Sequence, residues 1–195
     1  MLKDETKKSI EQAIQMDKHG VIIMIELPIN AYFEMNSSTI KLLTNQGFQG
    51  IYISFQRPFK NISSFFESEG IDTNKLLFID AATALCGEQQ YEDTRCVHVS
   101  PELDIDELVK AIYLSLPKLK SQKKFIFIDS LTTISLYKPL SQIMRFSEFL
   151  MRTVRKENEE NVILIFNVAK DLTQKKFIRD VAFHVDQVIS VENNE

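Results

Sequence analysis

Glycine is scarce in this chain, 5 of 195 residues. Loops that close round phosphate groups are built from glycine, because their backbone N–H groups must reach the oxygens without a Cβ in the way. The shortage therefore weighs against a glycine-rich phosphate loop. Cysteine is scarcer still. Cys86 and Cys96 are the only two, which gives no disulfide framework and suits a reducing compartment. No apolar segment approaches the roughly 20 residues that span a bilayer, so membrane insertion is not expected. Residues 1–20 are charged and amphipathic and lack the apolar centre of a signal peptide, and a cytoplasmic location is expected. A surplus of one charge is missing too: 23 basic and 27 acidic side chains leave a net charge of −4, against a general nucleic-acid binder. The basic clusters 118–124 and 170–179 read as solvated helix ends and strand approaches. No Ser-His-Asp order or Gly-x-Ser-x-Gly elbow points to a hydrolase triad.

What the chain does have is a repeated pattern. With 44% hydrophobic and 26% charged residues it has the composition of an ordinary globular protein, and its length suits a single domain over 1–195. Residues 1–20 should hold an N-terminal helix stopped at Gly20, and 192–195 a frayed acidic tail. Apolar runs recur at 21–25, 51–55, 76–79, 125–128, 162–166 and 187–191, with a shorter one at 96–99. Between them lie amphipathic stretches. The first carries Ile40, Leu42 and Leu43 and begins at a cap on Asn36 or Ser37. The next puts Ile62, Phe65 and Phe66 on one face, with Phe59 at the sheet edge as part of an exposed partner patch beside Arg57 and Lys60. Residues 81–94 read as a loop. Pro101, Asp104 and Glu107 mark the start of a helix over Leu108–Leu116, and Pro139 starts the longest one. A further helix is expected over 172–183. Strands apolar throughout and separated by helices imply parallel pairing with helices on both faces: a three-layer α/β/α domain with a mainly parallel central sheet of about six strands.

Ligands in such sheets sit at the carboxyl ends of the strands. The run Phe125–Ile128 ends abruptly in Asp129 and Ser130, which places a carboxylate there. Asp129 can hold a magnesium ion through water, or cap the next segment and bond Ser130 and Thr132; the structural reading is preferred. Cys86, Cys96 and His98 include a Cys-x-His chelate. Three candidates without paired close spacings fall short of a structural zinc site, so no metal is expected.

Three stretches together resemble the KaiC-like branch of the RecA superfamily of P-loop ATPases. Gly-Ile-Tyr-Ile-Ser-Phe at 50–55 looks like the second core strand of that family. Phe-Ile-Phe-Ile-Asp-Ser-Leu-Thr at 125–132 looks like its Walker B strand, and Val-Ile-Leu-Ile-Phe-Asn at 162–167 like the strand that follows. The resemblance implies a RecA-like fold over about residues 21–191 and a nucleotide site facing Asp129. It also shows two departures. Where the family has Gly-x-x-x-x-Gly-Lys-[Ser/Thr], residues 27–39 contain neither glycine nor lysine. Asn36 stands about where the lysine would be, Ser37 and Ser38 where the metal-binding hydroxyl would be, and Tyr32, Phe33 and Glu34 would fill or repel the phosphate volume. After the Ser-Phe strand, where the family carries adjacent glutamates, this chain has Gln56 and Arg57. Gln can orient a water but cannot take its proton.

The expected function is thus a catalytically inactive pseudo-ATPase that acts as a binding or regulatory protein. Its vestigial nucleotide site would comprise Asn36, Ser37, Ser38, Asp129, Ser130 and Asn167, with no cofactor and no catalytic residues. The resemblance further implies a protein partner, either a second copy or a related active ATPase. The alternative is a nucleotide-binding ATPase with a non-standard phosphate loop, taking ATP and magnesium, with Asp129 on the metal and Gln56 or Arg57 near the terminal phosphate. An unrelated chemistry on a doubly wound sheet is a third reading.

Overall fold

In the computed structural model, which describes residues 4–16, 18–87, 91–100, 102–156, 161–172 and 176–192, the apolar runs all become strands of one sheet. They are β1 (Ile22–Leu27), β2 (Gln49–Ser54), β3 (Leu76–Asp80), β4 (Cys96–His98), β5 (Lys123–Ile128), β6 (Asn161–Ala169) and β7 (Gln187–Ser190). The order is β4-β3-β2-β5-β6-β1-β7, and every pair is parallel. Seven strands stand where about six were expected, the extra one being the three-residue edge strand β4.

Side chains alternate between the two faces, and each face has its own helices. Ile23, Ile25, Tyr52, Phe78, Phe125, Phe127, Ile163 and Ile165 pack with α1 (Asp4–Ile14), α2 (Tyr32–Asn45) and α3 (Phe59–Ser68). Ile22, Met24, Ile51, Ile53, Ile126, Ile128, Leu164 and Phe166 pack with α5 (Ile105–Ser115), α7 (Leu140–Lys156) and α8 (Lys176–Ala182). Two short helices, α4 (Ala82–Cys86) and α6 (Leu131–Ile134), follow β3 and β5 directly. The central strands are therefore buried on both sides, which is why they read as continuous apolar runs.

Several local expectations change. α2 begins at Tyr32, one turn before Asn36 and Ser37, and both of those lie buried inside the helix. They do not cap it: the side chain of Asn36 is used for tertiary bonds, and Ser37 Oγ donates to the Glu34 carbonyl at 3.1 Å. The expected loop 81–94 opens with α4, and residues 88–90 lie outside the described ones. Asp104 does cap α5, accepting from Asp106 N. Glu107 reaches back past it to Ser100, taking both its N–H (3.0 Å) and its hydroxyl (2.6 Å); Pro101 lies outside the described residues. Phe59 is buried against Phe78, ring centroids 5.0 Å apart, and contributes nothing to an exposed patch. The helix expected over 172–183 is confined to α8 among the described residues.

Gly20 was expected to stop the first helix, but α1 ends at Ile14. The glycine serves a later contact. It has φ +69°, and a Cβ there would lie 2.5 Å from the carbonyl oxygen of Val154 at the end of α7. Gly50 has a similar role within β2, where the Phe125 ring occupies the space a Cβ would take, 2.3 Å away.

Candidate functional site at the carboxyl edge

The topology brings the ends of β1, β6, β5 and β2 together in that order, so the segments after them share one edge. After Leu27, Pro28 leads into a 3₁₀ turn, Ile29–Ala31, and α2 starts at once. Glu34 lies in its first turn and is exposed.

Asn36 is 3% exposed and points from α2 into the sheet. Its Nδ2 donates to the Tyr52 hydroxyl at 3.0 Å, and its Oδ1 accepts from Asn167 Nδ2 at 2.5 Å. Tyr52 lies flat on Phe127, centroids 5.3 Å apart, and burial, then the nearby Asp129 charge, holds its hydroxyl well above the usual range. Asn167 is fully buried, and its Oδ1 meets no donor among the described residues. Beside this triad runs a second one. Ser130 Oγ and Thr132 Oγ1 are 2.8 Å apart, Thr132 Oγ1 accepts from Ala169 N at 3.2 Å, and the Tyr32 hydroxyl stands 3.5 Å from the same oxygen. Burial raises the pKa of Tyr32, so it too stays a neutral phenol.

Asp129 is 2% exposed and is bonded by the Ser130 backbone, as expected, but its side chain does not cap the segment after it. That cap is Ser130, whose Oγ accepts from Thr133 N at 3.0 Å. Asp129 instead turns to the neighbouring loop, where Oδ1 accepts from Phe55 N at 2.8 Å and Oδ2 from the Ser54 hydroxyl at 3.1 Å and Gln56 N at 3.4 Å. Burial outweighs these bonds, which favour the ion, and pushes its pKa up to about 7. Gln56 thus contributes its backbone, and its side chain is exposed. The Arg57 guanidinium lies over the Phe33 ring, 3.4 Å from its centroid, and Phe33 packs on Phe65 with centroids 4.1 Å apart and the rings tilted by 40°. Ser38 is half-buried, away from both triads.

The structure therefore joins Asn36, Asn167, Asp129 and Ser130 at one edge, along with Tyr32 and Thr132, which the sequence also placed there, and with Tyr52, which it did not. The Asn36–Asn167 pair spans 131 positions and exists only because α2 leaves β1 beside β6, so no local pattern signals it. Elsewhere on the edge, Cys86 is exposed, while Asp80 joins Cys96 and His98 at the ends of β3 and β4.

No family model matches the sequence, and no curated protein resembles it closely enough to count as a match. Among solved structures the fold is well represented. The chain is similar to the uncharacterized protein PH0321 of Pyrococcus horikoshii, solved with an unknown peptide, at 12% identity and TM-score 0.70, covering 96% of this chain and 83% of that one. It is similar to the KaiC-like protein PH0186 of Pyrococcus horikoshii OT3 at 16% identity and TM-score 0.59, over 88% and 71% of the two chains. The flagellar accessory protein FlaH of Methanocaldococcus jannaschii matches at 13% identity and TM-score 0.62, over 94% and 76%. The all-parallel sheet with helices on both faces is an α/β fold like that of the KaiC-like protein PH0186 and of FlaH. Among the described residues no helix is long and apolar enough to cross a membrane.

Proposed function

We propose that this chain is a non-hydrolysing relative of the KaiC-like ATPases that works by binding another protein. The observation that carries the reading is the start of α2: a helix opening at Tyr32, with Glu34 in its first turn and Asn36 tied to Tyr52 and Asn167, stands where a phosphate loop and its lysine would be needed. Asn36 brings no positive charge. Asp129 is 2% exposed, its oxygens accept from the Ser54 hydroxyl at the end of β2 and from Phe55 N and Gln56 N after it, and among the described residues it belongs to no cluster of metal-ligating side chains. A triphosphate with magnesium therefore fits these residues poorly, and no catalytic step is assigned to them.

The binding role has separate support. Ile29 is 70% exposed just after β1, and Leu136, 73% exposed, and Tyr137 follow α6 on the same edge. An apolar group presented there suits a protein surface or peptide. The peptide held by the similarly folded PH0321 is consistent with such a role.

Calorimetric titration with ATP and magnesium tests the first half. Binding no tighter than millimolar, and unchanged in Asp129→Ala, is expected; micromolar binding abolished by that substitution would overturn the reading in favour of a nucleotide-binding ATPase with a non-standard loop. For the second half, Leu136→Asp should weaken whatever association light scattering detects, and a monomer mass at every concentration removes self-association.

A further inference from the structure

At the flank of the same edge lies a cluster with different chemistry. Cys96 and His98 are two residues apart on β4 and so share one face of the strand, and Asp80, the last residue of β3, pairs directly with His98 across the parallel ladder. One ligand atom from each of the three lies within 4.8 Å of the other two. His98 Nδ1 is 3.4 Å from Asp80 Oδ2, while Cys96 Sγ lies 3.7 Å from the other ring nitrogen, Nε2, so the thiol must turn about its Cα–Cβ bond to share an ion held at Nδ1.

The hydrogen bonds fix how the imidazole is used. Nε2 lies 2.8 Å from the Tyr91 carbonyl oxygen, which can only accept, so Nε2 carries the hydrogen. In the neutral ring Nδ1 is then a bare lone pair. It is buried, meets no hydrogen-bond donor among the described residues, and faces a carboxylate oxygen that is itself an acceptor. Two acceptors held face to face repel each other unless a proton or a metal cation sits between them. With metal–nitrogen and metal–oxygen bonds of about 2.0–2.2 Å at tetrahedral angles, the two ligand atoms would be roughly 3.3–3.5 Å apart, which matches the 3.4 Å found.

We infer that Asp80, Cys96 and His98 form a zinc-binding site. The mixed S, N and O donor set suits zinc better than magnesium or calcium, which take oxygen ligands. On binding, the Cys96 thiol forms a bond from sulfur to the metal and releases its proton to solvent, while His98 binds as the neutral ring. The supports of the ligands are already in place. Asp80 accepts from Phe59 N at 2.8 Å and from Thr83 N at 2.9 Å and the Thr83 hydroxyl at 2.5 Å, and Tyr91 orients the imidazole. Without a cation the thiol is inert, because burial, then the Asp80 charge, holds its pKa far above the usual range. The bound metal reverses that balance. Cys86, the other cysteine, is exposed and takes no part.

The test titrates the reduced, chelator-stripped chain with Zn²⁺ against a chromophoric chelator, and with Co²⁺ as a spectroscopic probe. One zinc per chain is expected, and a cobalt spectrum with a thiolate charge-transfer band. Cys96→Ser and His98→Ala should each weaken zinc at least about tenfold, Cys96→Ser should remove the band, and Cys86→Ser should change neither. Zinc should also raise the melting temperature of the wild type and not that of His98→Ala, with far-UV circular dichroism confirming that the variants fold. No zinc uptake by the wild type, uptake undiminished in both ligand variants, or uptake lost in Cys86→Ser would each overturn the assignment.

Discussion

The centre and the flank of one sheet edge end in polar residues of opposite character. At the centre, Asn36, Tyr52, Asn167, Ser130 and Thr132 are neutral groups that bond one another, and the single carboxylate, Asp129, is wrapped by donors of the loop after β2. At the flank, Asp80 and Cys96 can carry charge, and His98 Nδ1 faces an acceptor. The unpartnered atom at the centre, Asn167 Oδ1, is a neutral amide oxygen, whereas the one at the flank, His98 Nδ1, faces a carboxylate across 3.4 Å, a pair that a proton or a metal cation between them would satisfy. Position at the carboxyl edge therefore does not decide whether a site is usable; the balance of donors and acceptors does.

The sharpest way to break this contrast is to remove one partner from each cluster. Asn36→Ala leaves the buried Tyr52 hydroxyl and Asn167 Nδ2 without their partner. At about 1–3 kcal/mol for each of the two stranded buried groups, the loss should be on the order of 2–6 kcal/mol. Cys96→Ala, in metal-free protein, removes one half-buried sulfur and should cost about 1 kcal/mol or less. Urea unfolding measures both, and equal losses would show that the centre is not the tighter network.

A smaller effect concerns Asp129, whose folded pKa is about 7 against about 3.9 in an unfolded chain. Between those values the folded protein holds a proton that the unfolded chain has lost. The stability contributed by this group is therefore complete below about pH 3.9 and falls as pH rises through 7. Asp129→Asn has no such proton, so its stability relative to wild type should rise by roughly 1–3 kcal/mol between about pH 5 and about pH 8. A relative fall over that window would mean that the three donors outweigh burial and that the carboxylate is held as the ion.

The fold was legible because burial on both faces makes each central strand a continuous apolar run, and the parallel order follows from the helices between them. What escaped was whatever depends on strands distant in sequence. Asn36 read as a cap or a stand-in for a lysine, since a polar residue near a helix start has that local meaning; its bond to Asn167 needs β1 and β6 to be neighbours. Asp80 follows the apolar run 76–79 with no local signal of its own, and only the ladder to β4 sets it beside His98. Phe59 read as exposed because its sequence neighbours are charged, yet its ring turns inward onto Phe78.

The smallest effect bears on how the centre is held shut from outside. Arg57 lies over Phe33 near the start of α2, and Phe33 rests on Phe65 of α3, so these contacts tie the loop after β2 to α2 and α3. A cation–π contact at an exposed site stabilises by about 0.5–1 kcal/mol. Arg57→Ala should lose about that much, Phe33→Leu more because the ring is also packed, and the double variant less than the sum, with a coupling of about 0.5 kcal/mol. Additive losses would mean that the guanidinium merely rests on the ring. In that case α2 is held to the sheet by the buried Asn36 bonds to Tyr52 and Asn167, and the loop carrying Gln56 and Arg57 adds nothing to its anchoring.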